Sequence, residues 1–224
     1  MSYLQSYCTI VPGLVNLNGE KYFKTRKSPF VMNDFFSAIY DHLNIDYRKF
    51  YKMDALSKLG FLASEILLTG SDREKSKDSM SIILFNRSSS LEADINYQKT
   101  IQKKEEFYPS PADFVYTLPN IVTGEIAIRN KIHGETAFYV LRDYYDQEMF
   151  YIINNTIKYG GMKSVLAGWV EVDAFNNMID CTMMLITSKS GNSSNSHLPV
   201  GLKHVNTDIN VLYNEFTLYK LTKR

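Results

Sequence analysis

The sequence predicts an α/β layered domain: a mixed, mostly parallel sheet flanked by helices. Three observations point there. Short uninterrupted apolar runs recur along the chain, amphipathic stretches of ten or more residues separate them, and no tandem repeat competes. The length of 224 residues suits one domain or one large half of a two-part fold, and it is enough to bury a core.

The elements follow in order. After an opening punctuated by Gly and Asn, Asn33 can cap a helix with Phe35, Phe36, Ile39, Tyr40 and Leu43 at three- and four-residue intervals. Asp54 can cap a second helix carrying Leu56, Leu59, Leu62, Ala63, Ile66 and Leu67, which Gly70 is placed to end. The charged, unpatterned segment SDREKSKDS then leads into SIILF, Ser81 to Phe85, a run that fits a strand covered on both faces. Ile95 to Glu106 reads as an exposed helix. Pro109, Pro111 and Pro119 punctuate the way into a buried helix over Asn120 to Asn130, in which Gly124 implies close packing.

Thr136 to Leu141 is strand-like. From Tyr144 to Tyr159, Tyr145, Met149, Ile152, Ile153 and Ile157 follow helical spacing, and Gly160-Gly161 ends the helix. Ser164 to Val172 and Cys181 to Thr187 are two further apolar strands. Residues 1–187 therefore read as the layered domain. Residues 188–224 read as a flexible Ser/Asn-rich connector followed by an arm or strand with Val211, Tyr213, Phe216, Leu218 and Leu221.

Composition excludes several function classes. Lys+Arg 25 against Asp+Glu 24 leaves a formal net charge of +1, so no global basic field recruits nucleic acid. Two cysteines, Cys8 and Cys181, allow no disulfide framework, and a reducing, cytoplasmic setting is the expectation. No signal-like start or membrane-spanning run is expected. The histidines His42, His133, His197 and His204 lack partners at ligand spacing, so no metal is expected. There is no Gly-rich phosphate loop and no G-x-S-x-G elbow, which argues against a nucleotide or other cofactor and against that type of serine hydrolase.

The informative block is PSPADFVYTLPNIVTGEIAIRNKIHGETAFYVLRD, followed by a helix and YGGMKSVLAGWVEV. Asn120 four residues before Gly124, the I-A-I stretch, the Ile132-x-Gly134 turn and Leu166-Ala167-Gly168 running to Glu171 resemble the N-terminal half of β-ketoacyl synthases, the thiolase-fold condensing enzymes. Upstream, MDALSKLGFLASEILL and SIILFNRSSSLEAD are similar to that family's helix, strand and following loop. The likeness covers most of residues 50 to 187 in family order.

The resemblance implies a thiolase-like fold, one half of a synthase. The family sets a nucleophilic cysteine at a strand-to-helix elbow, where the helix N-terminus lowers the thiol pKa. Counted forward from Gly134 or back from Gly160, that position falls on Asp143, which offers a capping carboxylate rather than a thiol. The family's two histidines and lysine come from its C-terminal half. His197 and His204 stand in no matching context, so no catalytic residue is expected in this chain.

In the family, the strand before the elbow pairs with its counterpart on a partner, which marks Thr136, Ala137, Phe138, Tyr139, Val140 and Leu141 as the interface. An interior strand without a partner is the alternative. The partner also walls an acyl tunnel. Candidates are Arg87, Ser89 and Leu91 in the loop after Ser81–Phe85, with Phe114, Tyr116 and Leu118, against the reading of a solvated turn and ordinary packing. Lys99, Lys103 and Lys104 could dock an acidic acyl carrier protein, although Glu105 and Glu106 follow and a solvated face explains them too. The expected function is that of a non-catalytic chain-length-factor-type subunit, paired with an active ketosynthase or with itself. Two alternatives stand beside it: an acyl-thioester enzyme using Asp143 or Glu171 as acid/base, and a homodimeric binding protein.

Overall fold

The computed structural model describes residues 2–25, 29–72, 75–142, 146–173, 175–188 and 207–208. Its centre is one mixed sheet. The strands are β1 (Tyr3–Val11), β2 (Leu14–Leu17), β3 (Glu20–Lys24), β4 (Met80–Asn86), β5 (Thr136–Val140), β6 (Ser164–Asp173) and β7 (Met178–Thr187), with a two-residue β8 (Thr207–Asp208) beside the start of β1. They lie in the order β3-β2-β1-β7-β6-β4-β5.

The predicted α/β architecture is present, but the balance of strand directions is the reverse of the expectation. Only β4 runs parallel to its neighbours, β5 and β6, and five of the seven pairings are antiparallel. A continuous apolar run reports burial on both faces, and a central antiparallel strand meets that condition as well as a parallel one. The β1–β3 meander, absent from the sequence reading, is held by two tight turns. Gly13 joins β1 to β2, and Asn18-Gly19 joins β2 to β3 with both residues at positive φ, the pairing that suits the twist of a two-residue hairpin.

Side chains alternate along β4, so Ile82 and Leu84 enter one core while Ile83 and Phe85 enter the other. The first core lies under α1 (Met32–His42), α2 (Ala55–Leu67) and α5 (Ile121–Asn130), and the second under α6 (Asp146–Tyr159). Two shorter helices, α3 (Leu91–Ile101) and α4 (Pro111–Tyr116), pack on each other beside α2. α4 starts on a Ser110 cap with Pro111 in its first turn, and α3 begins four residues before its expected start.

Asp54 caps α2 as expected, accepting a hydrogen bond from the Ser57 amide at 3.0 Å. Asn33 does not cap α1: the cap position is Val31, and the Asn33 side chain instead accepts from Lys58 Nζ at 3.3 Å. The strand over Thr136–Leu141, the helix over Asn120–Asn130 and β6 fall where predicted to within a residue or two, while β7 starts three residues before the expected Cys181. The expected connector beyond Ser188, the C-terminal segment 211–221, His197 and His204 lie outside the described residues.

Close packing belongs to other glycines than Gly124. A Cβ on Gly124 would meet nothing within 4 Å, whereas one on Gly60 would lie 2.5 Å from Val122 Cγ2 where α2 crosses α5. One on Gly168 would lie 2.1 Å from the Thr182 carbonyl oxygen, so β6 and β7 approach too closely for any side chain there. Gly124→Ala should therefore stabilise the protein by about 0.5–1 kcal/mol through helix propensity alone. Gly168→Ala should destabilise it by about 3 kcal/mol or more, because backbone must move. Urea unfolding of the two variants against the parent measures both.

Candidate functional site

The carboxyl ends of β4, β5 and β6 come together, the place where open α/β sheets form their binding crevices. β4 ends on the fully buried Asn86, whose side chain closes a tight turn. Its Nδ2 donates to the Ser89 carbonyl at 2.8 Å, and its Oδ1 accepts from the Ser89 amide at 3.0 Å. That grip holds Ser89 at φ 55, in the left-handed region that non-glycine residues seldom occupy. The Asn86 carbonyl accepts from the Leu141 amide at 2.8 Å, tying in the end of β5.

From β6, the buried Glu171 carboxylate accepts from the Arg87 amide at 2.7 Å and from the Ser88 hydroxyl. Ser90 donates to the Thr117 carbonyl at 2.6 Å, anchoring the loop to the end of α4. With each Glu171 oxygen engaged by the loop, this carboxylate is a strut, and its geometry does not fit the acid/base role of the alternative reading.

The sequence-marked residues are only partly gathered. Arg87, Ser89 and Leu91 share the braced loop and the start of α3. Phe114 packs on Tyr97 with ring centroids 5.4 Å apart, and Phe114 and Leu118 are about half exposed. Tyr116 turns the other way, and its hydroxyl donates to Glu125 Oε1 at 3.4 Å. Residues two apart on a helix do not share a face, so these aromatics do not line one wall. Asp143, between β5 and α6, lies outside the described residues.

β5 is the last strand of the sheet. Among the described residues it pairs with β4 alone, through the Glu135 carbonyl and the Leu141 amide, so the alternation of a parallel ladder turns the amides of Thr136, Phe138 and Val140 outward. Ala137, Tyr139 and Leu141 pack toward α6, with Tyr139 stacked on Phe85 at 5.4 Å. Phe138 packs on the other core, and Val140 is half exposed.

Sequence reasoning missed a cleft of about 370 Å³ between the starts of α1 and α2 and the α3–α4 pair. It holds Asp54, Lys58, Glu92, Asp113 and Tyr116. Desolvation pushes the Asp54 carboxyl up to about 6, with Glu92 adding to the rise and the Ser57 hydrogen bonds opposing it. Burial lowers the Lys58 ammonium. Behind the cleft, Glu125 binds Lys49 at 2.8 Å, and Glu65 faces Arg129 at 3.6 Å, whose guanidinium lies over the Tyr47 ring. The aspartate one turn before a lysine, at a cap, was the available signal. Burial of that cap was not readable.

Among the described residues, the two cysteines and the His133 cluster are poorly placed for catalysis. Cys8 and Cys181 are fully buried, and desolvation raises both thiols well above their usual range. Ser76 and Asp78 both approach the same His133 nitrogen, Nδ1, on an exposed surface, so no proton can be relayed from one to the other through the ring. Among the described residues no cluster of three or more His, Cys, Asp or Glu side chains could hold a metal. No described helix is long and apolar enough to cross a membrane.

The fold is a thiolase-like α/β fold of the ketosynthase type. The chain superposes on the ishigamide ketosynthase/chain length factor with a TM-score of 0.60 at 15% identity, over 89% of this chain and 64% of that one. It superposes on a ketosynthase in complex with its chain length factor from Xenorhabdus doucetiae with a TM-score of 0.54 at 16% identity, over 85% and 81%. A third match is a type II PKS acyl-carrier protein in complex with its ketosynthase bound to the hexaketide, at a TM-score of 0.57 and 12% identity, over 83% and 62%. The chain thus spans just under two thirds of the length of the first and third. No family model matches the sequence, and no curated protein does.

The raised Asp54 carboxyl has a consequence for stability. The folded state holds this proton more tightly than the unfolded chain, so its contribution is fully present below about pH 4 and is lost as pH rises through about 6. Asp54→Asn retains an N-cap acceptor and should remove that part of the pH dependence, leaving a flatter stability profile between pH 4 and pH 6 in chemical denaturation.

Proposed function

We propose that this chain is a ketosynthase-like subunit of the chain-length-factor type, which pairs with an active β-ketoacyl synthase and shapes the chamber in which an acyl chain grows. The observation that carries the reading is the outer edge of β5, an uncharged, largely apolar strand beside β4 on which no other strand lies among the described residues. Two findings support it. The fold matches that of ketosynthase and chain length factor structures, and the sequence resemblance puts the family's nucleophile position on Asp143.

An aspartate is a weak nucleophile toward a thioester, and an acyl-aspartate would be a mixed anhydride, higher in energy than its precursor. The partner therefore supplies cysteine, histidines and lysine, while this chain supplies the sheet edge and one wall of the chamber. The substrate class is an acyl-carrier-protein-bound chain. The resemblance to short synthase-like proteins of aryl-polyene and flexirubin pathways points to a polyene, handled in the cytoplasm.

Incubation with an acyl-carrier thioester, alone and with a neighbouring synthase, tests the assignment by intact-protein mass. The acyl adduct should appear on the synthase only, and an adduct on this chain would overturn the reading. Asp143→Cys should leave condensation by the isolated chain at zero. Val140→Lys places a charge on the half-exposed edge, so it should change stability by no more than about 0.5 kcal/mol while abolishing assembly in size-exclusion chromatography. A twofold pairing of β5 with a second copy would instead give a homodimer in the same measurement.

A further inference from the structure

Glu171 lies on β6, yet its carboxylate serves a loop that begins more than eighty residues earlier, bonding the Arg87 amide and the Ser88 hydroxyl. Ser88 also lies 3.2 Å from the Val172 carbonyl, a second acceptor for its hydroxyl proton. Besides these contacts, the centre of the loop is held by the Leu91 amide, which donates to the Ser88 carbonyl at 3.2 Å. Arg87 is exposed and Ser88 and Ser89 are half-buried, while Asn86 grips only Ser89 and Ser90 anchors only the far end. Without the Glu171 carboxylate, the Arg87 amide would lose its partner, and Ser88 would keep only the Val172 carbonyl and the Leu91 amide.

We propose that Glu171 is a positioning residue: its carboxylate sets the height of the Arg87–Ser90 loop over the carboxyl ends of β4 and β5, and with it the start of α3 at Leu91. This rests on the reading of the chain as a chamber-shaping subunit, in which that loop bounds the acyl chain. The role differs from general acid/base chemistry, because both oxygens act as acceptors toward groups that never leave. It makes a specific demand of substitutions. A glutamine can present its oxygen to the Arg87 amide and its NH2 to the Ser88 oxygen, with the Ser88 hydroxyl turned onto the Val172 carbonyl, whereas an alanine provides neither contact.

Amide hydrogen exchange on the full chain reads the first half of the proposal. Glu171→Ala should speed exchange at Arg87 and Ser89 by about tenfold or more while leaving β4 and β7 protected, and Glu171→Gln should stay within about threefold of the parent. Unchanged loop exchange in Glu171→Ala, or equal acceleration throughout the sheet, overturns it. The second half is read on the complex with the neighbouring synthase, as the ratio of long to short products by mass spectrometry. That ratio should shift in Glu171→Ala and return in Glu171→Gln. A loosened loop with an unchanged ratio overturns the positioning role. If the parent chain recruits no synthase at all, the subunit reading fails, while the exchange data still decide whether Glu171 holds the loop.

Discussion

β4 offers no residue to solvent: every side chain from Met80 to Asn86 is buried, with one core on each face and a parallel neighbour on each edge. Polar groups at its exit must then be paired inside the protein, since an unpaired buried donor or acceptor costs about 1–3 kcal/mol. Asn86 closes the turn, and its backbone carbonyl holds the end of β5. Glu171 reaches over from β6. The braced loop at the carboxyl ends of the parallel strands is thus a consequence of where β4 lies. A looser strand could have ended in solvent without either side chain.

The same constraint explains what was legible in the sequence. SIILF announced a strand covered on both faces, and Asp54 with its apolar periodicity announced α2, because one-dimensional spacing records burial directly. Strand direction left no such record. The antiparallel β6–β7 hairpin is as apolar as a parallel pair would be, so the sheet read as more parallel than it is. β1 to β3 alternate only in part and carry polar residues on a half-buried face, although Asn18-Gly19 was a hairpin signal in plain view. Gly124 shows a further limit: a glycine in a helix can mark close packing or nothing, and the partner that decides lies far away in sequence.

The site was legible to a similar degree. The loop after β4 and the edge strand were found because each follows a recognisable apolar run. The role of Glu171 was not, because it depends on the register of β6 against β4, which places Trp169 opposite Phe85 and so brings Glu171 level with the loop two residues further on. The mixed-charge cleft was hidden for the same reason. Asp54, Glu92 and Tyr116 come from three helices, and only their packing makes Asp54 a desolvated carboxyl instead of an ordinary exposed cap.

The two edges of the sheet differ in a way that bears on assembly. β3 has Glu20, Lys21 and Lys24 along its five residues, charges that discourage another strand from adding to it. β5, with the sequence Thr-Ala-Phe-Tyr-Val, carries none, and it turns the amides of Thr136, Phe138 and Val140 away from β4. Edge protection was therefore applied to one side of a single sheet and withheld from the other. Chance exposure gives no reason for that asymmetry. A strand partner at β5 does, since charges there would have to be desolvated on pairing, while apolar residues gain from it.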